Sequence, residues 1–119
     1  MSKASYEATL GPLFNNKIDP ALKSALSSQN VTNPKSLTTA VGLVTEARDA
    51  MAGVNPPTAI ADLNKKAVTA LTSLANDLAK LRDAAQSKNT SAYSSAATSV
   101  RNDGLSLESI GSQFTSRGY

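Results

Sequence analysis

The sequence predicts an all-α domain, an up-down-up-down four-helix bundle. Three observations carry this reading. Ala (19 residues) and Leu (13), both strong helix formers, dominate the 119-residue chain. Val, Ile and aromatic residues are sparse, and no run alternates apolar and polar positions as a half-buried strand would. Apolar residues instead recur at steps of three and four along four segments, separated by breaks carrying Pro, Asn and Gly.

The first helix spans about residues 3–29. Tyr6, Leu10, Phe14, Ile18, Leu22 and Leu26 recur every fourth residue, with Leu13 and Ala25 filling in at three. Pro12 and Pro20 interrupt it, each removing a backbone donor. The stripe keeps its phase across both, so one helix kinked at Pro12 and Pro20 is expected rather than two. Asn33-Pro34 reads as N-cap and first residue of a second helix over 34–52. Its inner face carries Leu37, Val41, Val44, Ala47 and Met51, and Gly53 is expected as a left-handed C-terminal cap.

Val54-Asn55-Pro56-Pro57 is the clearest break, because consecutive prolines cannot lie inside a helix. The third helix, 57–87, carries the strongest pattern. Ile60, Ala67, Leu74 and Leu81 repeat every seven residues beside a companion row of Leu71, Leu78 and Ala85, a bundle seam. Asn64 falls in the companion row. Either it is a buried polar residue that selects register, or the helix turns so that Leu63 faces inward instead; the second is the expectation. Residues 87–90 form a loop with Thr90 as N-cap, and a fourth helix covers 91–116 with Tyr93, Ala97, Val100, Leu107, Ile110 and Phe114 inward. Arg117-Gly118-Tyr119 reads as a frayed end. Short connections make neighbours antiparallel. Tyr6, Phe114, Met51 and Ile60 should therefore share one end of a single domain covering 1–119, and Leu26, Leu37, Leu81 and Tyr93 the other.

Composition excludes more chemistry than it suggests. With no Cys there are no disulfides, thiolate metal sites or thiol nucleophiles; with no His the usual neutral-pH base and phosphate relay are missing. Glu7, Glu46 and Glu108 are the only glutamates, and none sits on an inner row, which argues against a di-metal bundle site. Asp19 suits a cap, while Asp49, Asp62, Asp77 and Asp83 lie off the apolar rows and read as solvated. Asp103, beside Gly104, could face a gap, though solvation is the expectation for it too. No phosphate loop, nucleophile elbow or dinucleotide motif occurs. Catalytic residues, cofactors and metals are therefore all expected to be absent, and the chain is expected not to be an enzyme.

The net charge of +3 is spread over all four helices, and Lys65-Lys66 is the one adjacent basic pair. A nucleic-acid face needs clustered positive charge, so none is expected. The 27 Ser and Thr residues read as a neutral solvent face. No run of 18 apolar residues could span a bilayer. The first 20 residues lack the apolar core of a secretion signal, so an exported product would carry its signal upstream.

The segments Tyr6–Leu26, Met51–Pro57, Leu71–Ala85 and Gly111–Tyr119 give an aromatic-led first helix, a second ending before Pro-Pro, a long Ala/Leu third and a fourth ending in Gly-x-x-Phe. This layout resembles small helical domains of actinobacterial cell-envelope lipoproteins and secreted proteins. The resemblance implies an extracytoplasmic location and peripheral envelope association. No lipobox cysteine is present.

The leading expectation is a non-enzymatic, extracytoplasmic bundle that binds protein. Tyr6, Phe14, Tyr93, Gly104 and Phe114 are the candidate ligand or partner face. Two alternatives stand beside it. One is a carrier of a small apolar ligand or lipid, with a cavity opened by the prolines and by Gly42, Gly104 and Gly111. The other is a cytoplasmic or phage adaptor docking through Leu13, Leu43 or Leu105.

Overall fold

In the computed structural model, residues 2–26 and 34–119 are described, without the side chains of residues 22 and 24–26. Every regular element among them is helical: α1 (Lys3–Leu13), a π-helical turn (Phe14–Ile18), α2 (Asp19–Leu26), α3 (Pro34–Gly53), a 3₁₀ turn (Thr58–Ile60), α4 (Ala61–Ser87) and α5 (Thr90–Ser116). The four-helix reading holds, with α1, the π turn and α2 forming one continuous rod. The bundle is elongated, 47 × 20 × 20 Å, as helices of 27 residues at about 1.5 Å per residue require. The expected cap at Asn33, the helix end near 29 and the placement of Leu26 fall outside the described residues and side chains.

The first rod passes both prolines without breaking, and the π turn between them explains how. A spacing of four residues overshoots one α-helical turn by about 40°, so the stripe from Tyr6 to Ile18 would wander about 120° around a regular helix. A π turn absorbs one extra residue. Here the Asp19 N–H reaches the Phe14 carbonyl five residues back. This brings Ile18 back under Tyr6, and both are 1% exposed. The disturbance expected between the two prolines includes this π turn. It lies directly before Pro20, which has no N–H to give to the carbonyl of Asn16. Asn16 and Ala8, four residues before the prolines, are both exposed residues on the solvent side of the helix. The same rephasing leaves Phe14 half-buried and puts Leu13 inside.

α4 is the centre of the bundle, packing along α3 on one side and α5 on the other. Leu63, Leu71, Leu74 and Leu78 are fully buried. Leu63 and Asn64 are both inside, at 0% and 7% exposure, so the expected choice between them does not arise. The α4–α5 turn is tighter than expected. Lys88 takes the left-handed conformation (φ 56°) that ends α4, and Asn89 rather than Thr90 caps α5, its Oδ1 accepting the Ala92 N–H at 3.1 Å.

Gly53 does not take the expected left-handed cap: among the described residues Gly118 is the one glycine with positive φ. The residues expected to fray are also ordered. Arg117 forms a two-pronged pair with Asp62 at 2.8 and 3.1 Å and donates to the Ala59 carbonyl at 3.0 Å, tying the end of α5 to the start of α4. The guanidinium hydrogen bond holds the Asp62 carboxyl below its usual range.

Hydroxyls on helices can bond back to the helix's own carbonyls. Thr9, Thr38, Thr39, Thr72, Thr98 and Thr115 each donate to the carbonyl four residues back.

A Cβ built on Gly42 or on Gly111 meets nothing within 4 Å. Gly42→Ala and Gly111→Ala should each therefore raise unfolding free energy by about 0.5–1 kcal/mol in chemical denaturation. A loss of stability at either site would show close helix approach there.

Candidate functional site

The five residues expected to form a partner face do not come together. Tyr6 and Phe114 meet at one end, with ring centroids 5.9 Å apart, and Tyr119 closes on Tyr6 edge-on at 6.0 Å. Phe14 borders a surface groove of about 330 Å³ between α1 and α5, shared with Leu10, Gly111 and Phe114. Tyr93 lies at the far end of α5, half-buried, in a groove of about 340 Å³ with Ala84, Ala85 and Lys88. Gly104 is half-buried midway along α5.

Tyr6 is instead part of a buried polar chain. Its hydroxyl donates to Asn64 Oδ1 at 2.7 Å, and Asn64 Nδ2 donates to the Met51 carbonyl at 3.0 Å. Burial first, and Tyr119 second, push the Tyr6 phenol up to about 12, so it remains a donor through ordinary pH. Met51 lies in the last turn of α3, where carbonyls have no helical partner. Asn64 thus supplies from α4 the cap that Gly53 does not.

The second polar feature lies in the α4–α5 seam. Asp103 was expected to be solvated, as was Asp77; both are half-buried. Asp103 Oδ2 is buried and, with both carboxyls ionised, has no donor. Desolvation chiefly, then a hydrogen bond to Asp77 and its negative charge, raise the Asp103 carboxyl to about 7. One proton held between two carboxyls is the natural state of such a pair. Asp103 borders a groove of about 480 Å³ lined by Lys65, Lys66, Thr69, Ser73 and Ser106.

A signal for this pair exists in the sequence. Ala96, Asp103 and Ile110 are spaced by seven, as are Leu63, Ala70, Asp77 and Ala84. Each aspartate therefore holds an interfacial position in a row whose other members are apolar.

Chemically, a carboxyl titrating near neutrality can give or take a proton. Its neighbours are the Asp77 carboxyl and, along a surface groove, the side chains of Lys65, Lys66, Thr69, Ser73 and Ser106. Among the described residues no three His, Cys, Asp or Glu side chains cluster as a metal site, and no helix is long and apolar enough to cross a membrane.

The buried chain makes a direct prediction. Tyr6→Phe leaves Asn64 Oδ1 without its donor and should cost about 1–3 kcal/mol of stability. In an Asn64→Ala background the same change should cost less, by a coupling of at least about 0.5 kcal/mol in a double-mutant cycle. Additive costs would mean that the hydrogen bond contributes nothing. Compared with known proteins, the chain matches no family model, no curated protein and no solved structure.

Proposed function

We propose that this chain is a non-enzymatic helical interaction domain that works outside the cytoplasm, at the cell envelope, by binding protein. The observation that carries the reading is the outer face of α5. Thr90, Ser91, Ser94, Ser95, Thr98, Ser106, Ser109, Ser112, Thr115 and Ser116 are all exposed along one helix, interrupted by few charges. Covering hydroxyls on association costs less than covering ions, because their hydrogen bonds can be exchanged without stripping a charge of water. Leu105, 63% exposed, stands within this face and offers an apolar contact. The resemblance to envelope and secreted helical domains supports the location.

Leu105 also favours the adaptor as a second reading. Of the three flanking leucines, Leu13 is buried and Leu43 packs against the core, so Leu105 alone is presented to a partner. No comparable observation favours the carrier. Gly42 lies on an exposed face, and the space beside Gly111 belongs to a surface groove.

Fractionation of cells expressing the native gene from its own locus tests the location. The proposal expects the product in the envelope or the culture medium. Recovery in the cytosol would overturn the location and leave the adaptor. Complexes isolated by crosslinking in those cells should be lost on Leu105→Glu while the domain's melting temperature is unchanged. Survival of the same complexes would remove α5 as the binding face.

A further inference from the structure

The α4–α5 seam is interrupted by a feature that neither packing nor the proposed binding face requires. Asp77 and Asp103 occupy positions in rows that elsewhere hold Leu63, Ala84, Ala96 and Ile110, all buried. A surface groove opens beside each aspartate. Asp103 borders the groove of about 480 Å³ that contains Lys65 and Lys66, and Asp77 borders a second groove of about 490 Å³ with Lys80, Asp83, Ser95 and Ser99. We propose that Asp77 and Asp103 make this seam a proton-operated latch: a proton shared between the carboxyls ties α4 to α5, and its loss sets two negative charges against each other and loosens the seam there.

The buried oxygen decides the direction. Asp103 Oδ2 has no donor when both groups are ionised, and protonation of one carboxyl supplies that donor across the interface. The charged surroundings do not cancel the repulsion. α4 brings Lys65 and Lys66 to the groove beside Asp103, and Lys80 and Asp83 to the one beside Asp77. α5 carries Arg101. On α3, which packs on the other side of α4, Arg48 is paired with Asp49 and Glu46 with Lys17 of the first rod, and Lys35 lies near its start; α2 adds Asp19 and Lys23. Among the described residues Asp77 is the charged group that moves the Asp103 titration, and it moves it upward.

The sign of the pH effect follows. The folded chain holds a proton on Asp103 that the unfolded chain, with an ordinary carboxyl near about 4, has released. The pair's contribution to stability is greatest in acid, falls as pH rises towards the folded value near about 7, and is level above it. Once that proton is gone, α5 is held less firmly around residues 99–107, between the two grooves.

Carboxyl-carbon NMR of the wild-type protein tests the pair without any variant. Asp103 should titrate above about pH 6, well over the ordinary carboxylate value, and Asp77→Asn should lower that midpoint. Thermal unfolding tests the latch. The wild-type midpoint should fall by about 5 °C or more between pH 5 and pH 8.5. Asp103→Asn, whose amide donates to Asp77 at every pH, should lose less than half as much. At pH 8.5, amide exchange in residues 99–107 should be faster in the wild type than in this variant. An ordinary Asp103 midpoint, or equal pH losses in the wild type and Asp103→Asn, would overturn the proposal. If Asp103→Asn does not fold, Asp77→Asn serves in the same comparison, since it removes the second charge.

Discussion

Asn64 holds three helices to one register. An amide in an apolar seam must find partners or lose stability, and Asn64 finds them on two different elements: the Tyr6 hydroxyl of α1 and the Met51 carbonyl at the end of α3. Sliding α1 by one turn along α4 would carry the phenol away from Oδ1. Rotating α4 would strand both the amide and the carbonyl. The Ala and Leu faces that surround this point would tolerate either movement, since small apolar residues pack in many registers. The hydrogen bonds are what distinguish one arrangement. The aromatic cluster of Tyr6, Phe114 and Tyr119 then fills the end of the bundle around it, and the Arg117–Asp62 pair fastens the last turn of α5 beside the first of α4.

Much of the architecture was legible because it rests on periodicity. The seven-residue rows of α4 and the inner residues of α3 reappear in the core, with Val41 and Ala85 half-buried at its edge, and the Pro-Pro break lies between α3 and the 3₁₀ turn that leads into α4. What was not legible depends on pairing between distant segments. Asn64 as a buried register-selecting residue was the less expected of two readings, because its partners lie 58 and 13 residues away in sequence. Gly53 looked like a cap by residue type alone, and the cap comes from α4. The strict spacing of four in the first rod was read as phase kept across the prolines. It equally encodes the π turn, since no regular α-helix holds that spacing on one face for three turns.

The site was less legible than the fold, for a related reason. The candidate face groups aromatic residues by type, although the antiparallel order already sets Tyr6 and Phe114 at one end of the 47 Å bundle and Tyr93 towards the other. Asp77 and Asp103 were read singly against the main hydrophobic rows and so looked solvated. Only the secondary rows, Leu63–Ala70–Asp77–Ala84 and Ala96–Asp103–Ile110, put both at an interface, and only the antiparallel pairing of α4 with α5 makes it the same interface.

The two buried polar features differ in kind, and the difference bears on function. The Tyr6–Asn64–Met51 chain is neutral, and each of its links has a donor and an acceptor at any ordinary pH, so it specifies structure without responding to conditions. The aspartate pair is complete only with a proton supplied by solvent. For packing alone, Ala or Leu at positions 77 and 103 would continue both rows and avoid the desolvation and repulsion that a buried carboxyl pair carries. The pair therefore makes one helix interface sensitive to proton activity while the rest of the core is not. The hydroxyl-rich outer face belongs to α5, the helix that this interface holds in place. Any partner gripping that face would find α5 firmer in acid than in base, so binding and protonation would be linked through one helix.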